Sequence, residues 1–392
     1  MINRRIKRVL TNLHFWLGVS FLYLFIIIFF IVLGFVDTDN SYFRITEKIP
    51  RSLAEFISPK FPPLDRVDYD DRLLALANMP EIIKPVSTSS TSTSPVLPAT
   101  TSTSTKKIYQ TSWGKIKAVS PLWPVKTVYP KDGAILPFKR IIAYYGNFLS
   151  TGMGILGQYP EDVVLEKLKG EMEKWNLADP NTPTLPAIHY IAVTAQGSKG
   201  EDGKYRARMS DTQIEKALEM AKKVDGIVFL DIQVGQSTIQ AELPFFEKYI
   251  KMPEVHIAVD PEFSMKNGRK PGVYVGTYDA TEMNFVIDYL AEIVKKENLP
   301  PKIFVIHRYI QEMLTNANLI KTVPEVQVVI DMDGWGPPSN KLSSYKQFVY
   351  SEPVQFTGFK LFYKNDLRGG GKMMTPEEVL KLTPKPIYIQ YQ

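Results

Sequence analysis

Acidic side chains stand at the ends of several β-branched runs of this sequence, and their spacing suits acid–base chemistry. Asp260 and Glu262 form an Asp-x-Glu pair at the end of one run, Asp331 and Asp333 form a second pair, and Asp231 ends a third run. Hydrolysis of a glycoside needs two carboxyl groups with separated pKa values, one protonated and one ionised. We therefore predict Glu262 as a general acid and Asp260 as its partner, with the other aspartates as stabiliser or base.

Polar and aromatic residues at the ends of the same runs form a candidate set of substrate contacts. They are Tyr145, Asn147, Gln196, Gln233, His307, Trp335, Lys360, Tyr363 and Gln390. Aromatic rings can stack on sugars, and a few well-placed polar groups can fix the orientation of a ligand. The alternative is that the acids pair with Lys360, Arg308 and Arg368 and merely fill the space between the strands.

A divalent cation is a second chemical possibility. Asp231, one of Asp260 or Glu262, and His307 close three successive runs, and oxygen-rich groups of this kind suit Mg²⁺, Ca²⁺ or Mn²⁺. The sequence has no compact ligand motif and no cysteine. We therefore expect no cofactor and leave the cation open. His189 is expected at the start of its run, at the opposite end from the acids.

Strands and helices between Arg140 and Gln392 must position these side chains. In this region one unit of sequence occurs eight times. Each unit is a β-branched run, a polar residue where the run stops, and an amphipathic helical stretch. The predicted strands are 140–145, 187–194, 226–233, 255–260, 302–307, 326–331, 355–363 and 386–391. This repeat predicts an α/β fold of the (β/α)8 TIM-barrel type, whose active sites lie at the C-terminal ends of the strands. An open doubly wound sheet is the alternative.

Alternation within the strands predicts which side chains share a face. Asp260 and Glu262 should share a face with Ala258, while Val259 should face the helices. The opposite register would turn the acids toward the helix layer, where unpaired charges are costly. The acids are therefore expected to face the barrel mouth.

Side-chain acceptors and a proline mark the expected helix starts. Ser210, Asp279 and Thr375 stand where the free N–H groups of a first helical turn need an acceptor, and Pro160 opens another helix.

The N-terminus predicts where this barrel resides. Residues 15–36 form an uncharged apolar run long enough to span a hydrocarbon core of about 30 Å as a helix. Four basic residues precede the run and Asp37 and Asp39 follow it, so the positive-inside rule places residues 1–14 in the cytoplasm. A cleaved signal peptide is the alternative. We predict a single-pass protein of the cell membrane with an extracytoplasmic barrel at 138–392.

Residues 37–137 are predicted to form an extracytoplasmic tether. Its stretch 84–107 is rich in Ser, Thr and Pro and cannot bury enough apolar surface to fold. Residues 40–83 show some apolar pattern, as in Leu73, Leu74, Leu76 and Met79, and we expect a short helix there, near the membrane. Four basic residues within the first eight account for most of the net charge of +6. With no clustered basic surface, a nucleic-acid partner is excluded, and the expected partners are the membrane, through the N-terminal helix, and a glycan or cell-wall polymer.

The Asp-x-Glu pair resembles that of chitinase-like and muramidase-like glycoside hydrolases. In those families the glutamate of a fourth-strand Asp-x-Glu protonates the leaving oxygen, and a nearby aspartate orients or stabilises the acetamido group of the sugar. The resemblance implies these roles for Glu262 and Asp260. His256 and Ala258 stand where chitinases have further aspartates. The largest glycosidase clan is disfavoured, because the seventh strand ends in Lys360 rather than in a nucleophilic glutamate.

Several segments also resemble an uncharacterised family of secreted or lipid-anchored bacterial proteins. They include Ala143-Tyr-Tyr-Gly146, Asp231-Ile-Gln-Val-Gly235 and Asp331-Met-Asp-Gly-Trp335. This resemblance covers most of 138–392, implies a location in the cell envelope and gives no activity. The sequence thus predicts a membrane-anchored barrel that hydrolyses glycans. A non-catalytic glycan-binding or scaffold protein, and a metal-dependent hydrolase or lyase, stay open as alternatives.

Overall fold

The computed structural model describes residues 61–78, 110–111, 114–115, 123, 128–266 and 268–392. The predicted membrane helix at 15–36 and the low-complexity segment at 84–107 lie outside these residues. Among the helices that are described, none is both long and apolar enough to cross a membrane. The membrane anchor therefore stays a prediction.

Eight parallel strands form a closed barrel. They are β1 (Arg140–Gly146), β2 (Thr184–Ala195), β3 (Ile227–Ile232), β4 (Val255–Val259), β5 (Lys302–Arg308), β6 (Val326–Met332), β7 (Phe356–Leu361) and β8 (Tyr388–Tyr391). Each strand pairs with the next along the chain, and β8 pairs with β1, where Gln390 lies opposite Ala143. The ring confirms the predicted TIM barrel, and the open-sheet alternative is wrong.

Helices cover this barrel unevenly. They are α1 (Arg66–Ala77), α2 (Glu161–Ala178), α3 (Asp211–Lys222), α4 (Ile239–Glu242), α5 (Glu247–Ile250), α6 (Ala280–Lys296), α7 (Pro338–Ser344) with a π-helical turn at Tyr345–Tyr350, and α8 (Pro376–Val379). Between β5 and β6 the chain makes no α-helix, but only the 3₁₀ turns Gln311–Met313 and Ala317–Leu319 and a two-residue strand, Leu314–Thr315, that pairs with Tyr278–Asp279. The prediction of a helix after every strand is wrong here, because Asn316 adopts a left-handed conformation that interrupts any helix.

Capping boxes form at two of the predicted helix starts. At α6, Thr281 N donates to Asp279 Oδ1 at 3.0 Å and Asp279 N donates to Glu282 Oε2 at 2.9 Å. Thr375 and Glu378 make the same reciprocal pair at α8. Each box satisfies N–H groups that the first helical turn leaves without a partner.

Two apolar layers lie on the two sides of the barrel wall. An inner layer that includes Ala143, Phe229 and Ala258 fills the barrel, while an outer layer that includes Val259 packs between strands and helices. Ala258 and Val259 therefore face opposite sides, as the alternation predicts. With this register, Asp260 continues the inward-facing row of β4.

Helix α1 closes the N-terminal end of the barrel. Tyr69 and Leu76 are buried and belong to the inner apolar layer, together with Ile141 and Ile303 near the starts of their strands. The backbone amide of Lys385 donates to the Leu76 carbonyl at 2.7 Å. The helix falls within the segment 37–137 predicted as a tether, and residues 61–78 of that segment pack against the barrel.

Candidate active site

A cavity of about 890 Å³ opens at the C-terminal ends of the strands, the end at which TIM barrels carry their active sites. The predicted site residues that line it are Tyr145, Gln233, Asp260, Glu262, Asp333, Trp335 and Lys360. These residues come from β1, β3, β4, β6 and β7 or from the loops that follow them. The fold thus brings seven residues from five distant segments of the sequence around one space.

Asp260 and Glu262 are held in the cavity wall by one turn. Strand β4 ends at Val259, and a 3₁₀ turn follows at Pro261–Phe263. Within this turn Glu262 N donates to Asp260 Oδ1 at 3.1 Å. Asp260 is almost fully buried, whereas Glu262 is half-buried. The turn therefore gives the two carboxyl groups different environments although they are two residues apart.

Burial raises the pKa of the Asp260 carboxyl well above its usual range. The negative charges of Asp333, Glu262 and Asp231 raise this pKa further, and the charge of Lys360 opposes the shift. A carboxyl surrounded by other carboxyls holds its proton more tightly because ionisation would add to the repulsion.

Glu262 is the carboxyl best placed to exchange a proton with a ligand. Burial raises its pKa, while a hydrogen bond from the Tyr309 hydroxyl and the charge of Lys360 lower it. The side chain also lines the cavity. A carboxyl that reaches a ligand and has a raised pKa is what general acid catalysis near neutral pH requires.

Lys360 is the cation that faces these acids. Its Nζ lies 3.8 Å from the centroid of the Tyr145 ring and 5.1 Å from that of Phe362, and the residue is 3% exposed. The two arginines considered as alternative partners lie elsewhere. Arg308 binds Glu352 at 2.6 Å, and the guanidinium of Arg368 lies over the Trp335 ring.

Lys360 acts on a larger number of acids than one charge can neutralise. Its charge lowers the raised pKa values of Asp231, Asp260, Glu262, Asp331 and Asp333. His307 also lowers the pKa of Asp231 and Asp333, and Lys341 that of Asp331, but these three cations are still fewer than the five carboxyls if all of the carboxyls ionise. The acids must therefore share protons or bind a further cation.

Three predicted residues, Asp231, Asp331 and His307, are fully buried and absent from the cavity lining. Asp231 Oδ2 accepts a hydrogen bond from the Tyr145 hydroxyl at 2.9 Å. His307 Nδ1 lies 3.0 Å from Asp331 Oδ2 and 3.7 Å from Asp333 Oδ2. Because Tyr145 and Asp333 line the cavity, these buried groups lie directly beneath its floor.

His189 also belongs to this buried network, and its position there was not predicted from the sequence. The predicted strand began at 187 and placed this histidine at the opposite end from the acids. Strand β2 instead begins at Thr184, because Pro186 is accommodated within it, and His189 pairs in register with Tyr145. Its Nδ1 lies 2.5 Å from the Tyr388 hydroxyl.

Gln233 and Gln390 tie this network together. Gln233 Nε2 donates to the Tyr145 hydroxyl at 3.1 Å, and its Oε1 accepts from the backbone of Ala195. Gln390 is fully buried, with Nε2 at 2.8 Å from the Tyr388 hydroxyl and 3.1 Å from His189 Nδ1. Gln233 can therefore contact a ligand in the cavity, whereas Gln390 supports the layer below.

Asn147 and Gln196 lie away from the cavity lining, although both follow strand ends. Asn147 is buried, and its Nδ2 donates to the Ile191 carbonyl at 3.0 Å. The backbone amide of Gln196 donates to the Tyr205 carbonyl at 2.8 Å, in the loop after β2. Asn147 thus holds the β1 loop against β2, a structural role.

Tyr363 faces the helix layer instead of the cavity. Its hydroxyl lies 2.9 Å from the Tyr144 hydroxyl and donates to Glu171 Oε1 at 3.0 Å. Lys360 faces inward, and strand alternation continued past β7 turns the odd-numbered residues outward. The same alternation that turns the acids inward therefore turns the Tyr363 side chain away from the cavity.

A buried ion pair supports the loop that carries Trp335. Lys341 Nζ lies 2.9 Å from Asp366 Oδ2 and also donates to the Gly334 carbonyl, while Gly336 N donates to Asp366 Oδ1. Burial lowers the pKa of Lys341 to about 8, against the opposing charge of Asp366. Trp335 is 54% exposed at the cavity rim, where it can stack on a ligand.

Comparisons with known proteins give distant likenesses. No family model matches the sequence, and no curated protein matches it. Among solved structures it is similar to the mannanase man26 of Bacillus subtilis, at 12% identity and a TM-score of 0.35, over 65% of this chain and 79% of the mannanase. It is also similar to the catalytic domain of alkaline cellulase K, at 11% identity and a TM-score of 0.34, over 65% of this chain and 73% of the cellulase.

A third solved structure with a likeness is the spore cortex-lytic enzyme SleL of Bacillus megaterium. It aligns at 15% identity and a TM-score of 0.28, over 63% of this chain and 58% of that one. Likenesses at this distance identify no activity, so the function has to be inferred from the cavity itself. The resemblance to an uncharacterised family of bacterial envelope proteins stays a prediction.

Proposed function

We propose that this protein is a glycoside hydrolase that cleaves a cell-envelope or extracellular glycan by carboxylate acid–base catalysis. The observation that supports it most is the pair Asp260 and Glu262, held by one turn in the wall of an open cavity, with both pKa values raised. A raised pKa lets a carboxyl keep its proton to a higher pH, so that it can donate this proton to a leaving oxygen.

In the proposed reaction Glu262 protonates the glycosidic oxygen as the bond to the anomeric carbon breaks. Water adds to the anomeric carbon, and the proton that it loses passes to a carboxylate of the cavity, for which Asp333 on the β6 side is the candidate. Asp260 stabilises or orients the sugar next to the scissile bond. These roles divide the work between one protonated and one ionised carboxyl group, as glycoside hydrolysis requires.

Other residues of the cavity lining supply the substrate contacts in this proposal. Trp335 at the rim offers an exposed ring face for a sugar, and Tyr145 and Gln233 offer polar groups at the floor. Lys360 stabilises negative charge that develops as protons move among the carboxyls. We propose that the N-terminal apolar run holds this barrel at the outer face of the cell membrane, on the basis of the run and its flanking charges.

The test compares wild type with Glu262→Gln and Asp260→Asn on peptidoglycan, chitin-type and other polysaccharides. Glu262→Gln keeps the shape of the side chain but removes the proton, and we expect a loss of about 100- to 10,000-fold in kcat. Asp260→Asn should lower kcat more than it weakens glycan binding, if the residue acts in the transition state. Released reducing ends measure turnover.

The matched control is Glu312→Gln, which changes the same chemistry in an exposed glutamate between β5 and β6. Glu312 is absent from the cavity lining, so this variant should keep the wild-type rate. If wild type binds a glycan, releases no product and binds equally well after both active-site substitutions, the protein is a non-catalytic glycan-binding scaffold and the hydrolase proposal fails.

A further inference from the structure

We propose that His189, Asp231 and His307 bind one divalent first-row transition-metal ion beneath the floor of the cavity. Their potential ligand atoms all lie within 4.8 Å of one another. Asp231 Oδ2 lies 3.8 Å from His189 Nε2 and 3.9 Å from His307 Nε2. In the part of the chain that the structure describes, this is the one group of three such residues with metal-binding spacing.

Unpaired polar atoms converge on this point. His189 Nε2, His307 Nε2 and Asp231 Oδ1 have no hydrogen-bond partner, and all three residues are 0% exposed. Buried polar atoms are nearly always paired, because leaving one unpaired is costly. A cation coordinated by both Nε2 atoms and by the Asp231 carboxylate would satisfy all three side chains at once.

His307 Nδ1, the ring nitrogen that would not bind the metal, has the kind of hydrogen-bond partner that is found in many metal sites. It lies 3.0 Å from Asp331 Oδ2, and the tautomer that donates from Nδ1 to that carboxylate has a free lone pair on Nε2, which lies 3.9 Å from Asp231 Oδ2. Histidines that bind metals usually donate their second N–H to a carboxylate or carbonyl in this way. Asp331 thus acts as a positioning residue for the proposed ligand.

His189 is oriented by Tyr388 and Gln390, which both lie next to its Nδ1. Gln390 Oε1 has no partner when Nε2 faces the histidine. Rotating this amide by half a turn brings Oε1 to His189 Nδ1, and the assignment of amide N and O rests on the hydrogen-bond network. In that orientation His189 donates from Nδ1 and presents the Nε2 lone pair toward Asp231.

The donor set selects the class of metal. Two imidazoles and one carboxylate suit Zn²⁺, Mn²⁺, Fe²⁺ or Co²⁺, whereas Ca²⁺ and Mg²⁺ prefer all-oxygen sites. Metal–ligand bonds of about 2.0–2.2 Å place tetrahedral ligand atoms roughly 3.4 Å apart. The distances of 3.8 and 3.9 Å each need to shorten by about half an ångström on binding, and the ligand atoms of the two histidines, which lie within 4.8 Å of each other, need to approach the same spacing.

This site differs from the one that the sequence suggested. The sequence analysis grouped Asp231 and His307 with Asp260 or Glu262, which line the cavity, and missed His189. Tyr145 lines the cavity and its hydroxyl donates to Asp231, so the proposed ion would lie one side chain below the substrate space. A doubly charged cation there also offsets the excess of buried carboxylates.

The experiment measures metal binding by the full-length protein in detergent. The protein is stripped with a chelator and dialysed against Zn²⁺, Mn²⁺, Fe²⁺ or Co²⁺, and bound metal is measured by mass spectrometry. We expect one ion per chain for at least one of these metals, a visible d–d absorption with Co²⁺, and a higher Tm when that metal is added. No substrate is present, so the outcome does not depend on the hydrolase proposal.

Variants locate the ion within the protein. His189→Gln and His307→Gln should abolish the Co²⁺ absorption, and Asp331→Asn should weaken affinity about 10- to 100-fold by replacing the carboxylate that orients His307 with a neutral amide, a weaker acceptor. The matched control is His256→Asn, a buried histidine of β4 outside the cluster, whose Nδ1 accepts from Ile303 N. This control should bind one ion as wild type does.

Two results would overturn the metal site. Wild type that takes up none of the four metals after stripping has no such site. Metal that binds equally well to wild type, His307→Gln and Asp331→Asn is held elsewhere on the chain. If the histidine variants fail to fold, wild-type stoichiometry and the affinity of Asp331→Asn decide the matter.

Discussion

The closure of the barrel base by α1 can be tested with Leu76→Ala. Leu76 is 8% exposed and packs in the inner apolar layer, so the substitution removes three buried carbons and leaves a cavity at the base of the barrel. Burial of a leucine is worth about 1.5–3 kcal/mol, and Leu→Ala in a core costs about 2–5 kcal/mol once the cavity is included. We expect the free energy of unfolding to fall by about 2–4 kcal/mol, because the site lies at an end of the core, where it can relax.

Leu74→Ala is the matched control on the same helix. Leu74 is 66% exposed, and both substitutions change helix propensity by the same small amount. The control should therefore change the free energy of unfolding by no more than about 0.5 kcal/mol. Urea unfolding followed by tryptophan fluorescence, with linear extrapolation, measures both variants. Equal losses in the two variants would show that α1 does not seal the barrel.

Two further changes probe the cavity and the layer beneath it. Tyr309→Phe removes the hydrogen bond that lowers the pKa of Glu262, so this pKa should rise. The alkaline limb of the pH–rate profile should therefore move to higher pH, since the acid keeps its proton to higher pH. Gly358→Ala would place a Cβ 2.5 Å from Asp331 Oδ1, and we expect chemical denaturation to show a loss of about 1–3 kcal/mol.

Both variants have controls of the same chemistry. Tyr289→Phe removes a hydroxyl that donates to Glu247 outside the cavity, so its pH–rate profile should match wild type. If the pH–rate profile of Tyr309→Phe also matches that of wild type, Glu262 is not the acid whose titration sets the alkaline limb. Gly170→Ala adds a methyl group to α2 where no atom lies within 4 Å, and it should stabilise the helix by about 0.5–1 kcal/mol. Equal effects of the two glycine substitutions would refute the crowding at Gly358.

The cavity combines two chemical layers with different roles. The upper layer, with Asp260 and Glu262, meets the cavity and can act on a ligand. The lower layer, with His189, Asp231 and His307, is fully buried and can act only on the groups above it. Tyr145 connects the layers, because its hydroxyl bonds to Asp231 and its ring lies under Lys360.

The architecture follows from local patterns in the sequence. Runs of β-branched and aromatic residues predicted all eight strands, because side-chain alternation and β propensity are properties of each segment. The same alternation placed Asp260 on the inward face of β4, since burying its charge among helices would be costly. The capping boxes at Asp279 and Thr375 were equally local.

The site beyond these acids depended on tertiary structure. His189 joins the buried network only because β2 begins at Thr184, before the predicted start at 187, and pairs with β1 in a particular register. Tyr309 reaches Glu262 from a loop far away in sequence. No local pattern encodes such contacts, because closure of the barrel brings together strand ends that are separated by tens to hundreds of residues.

Helix α1 shows the same division between what the sequence predicts and what the tertiary structure decides. Its residues predict a short helix from their own spacing, and Asp65 caps it as a local sequence signal would suggest. Only the folded barrel offers the open apolar end that this helix covers with Tyr69 and Leu76. The sequence by itself determined the strands, their faces and the acid pair, because these depend on neighbours along the chain. The tertiary structure decided which buried groups meet beneath the cavity and what closes the barrel, because both depend on surfaces that exist only after the ring has closed.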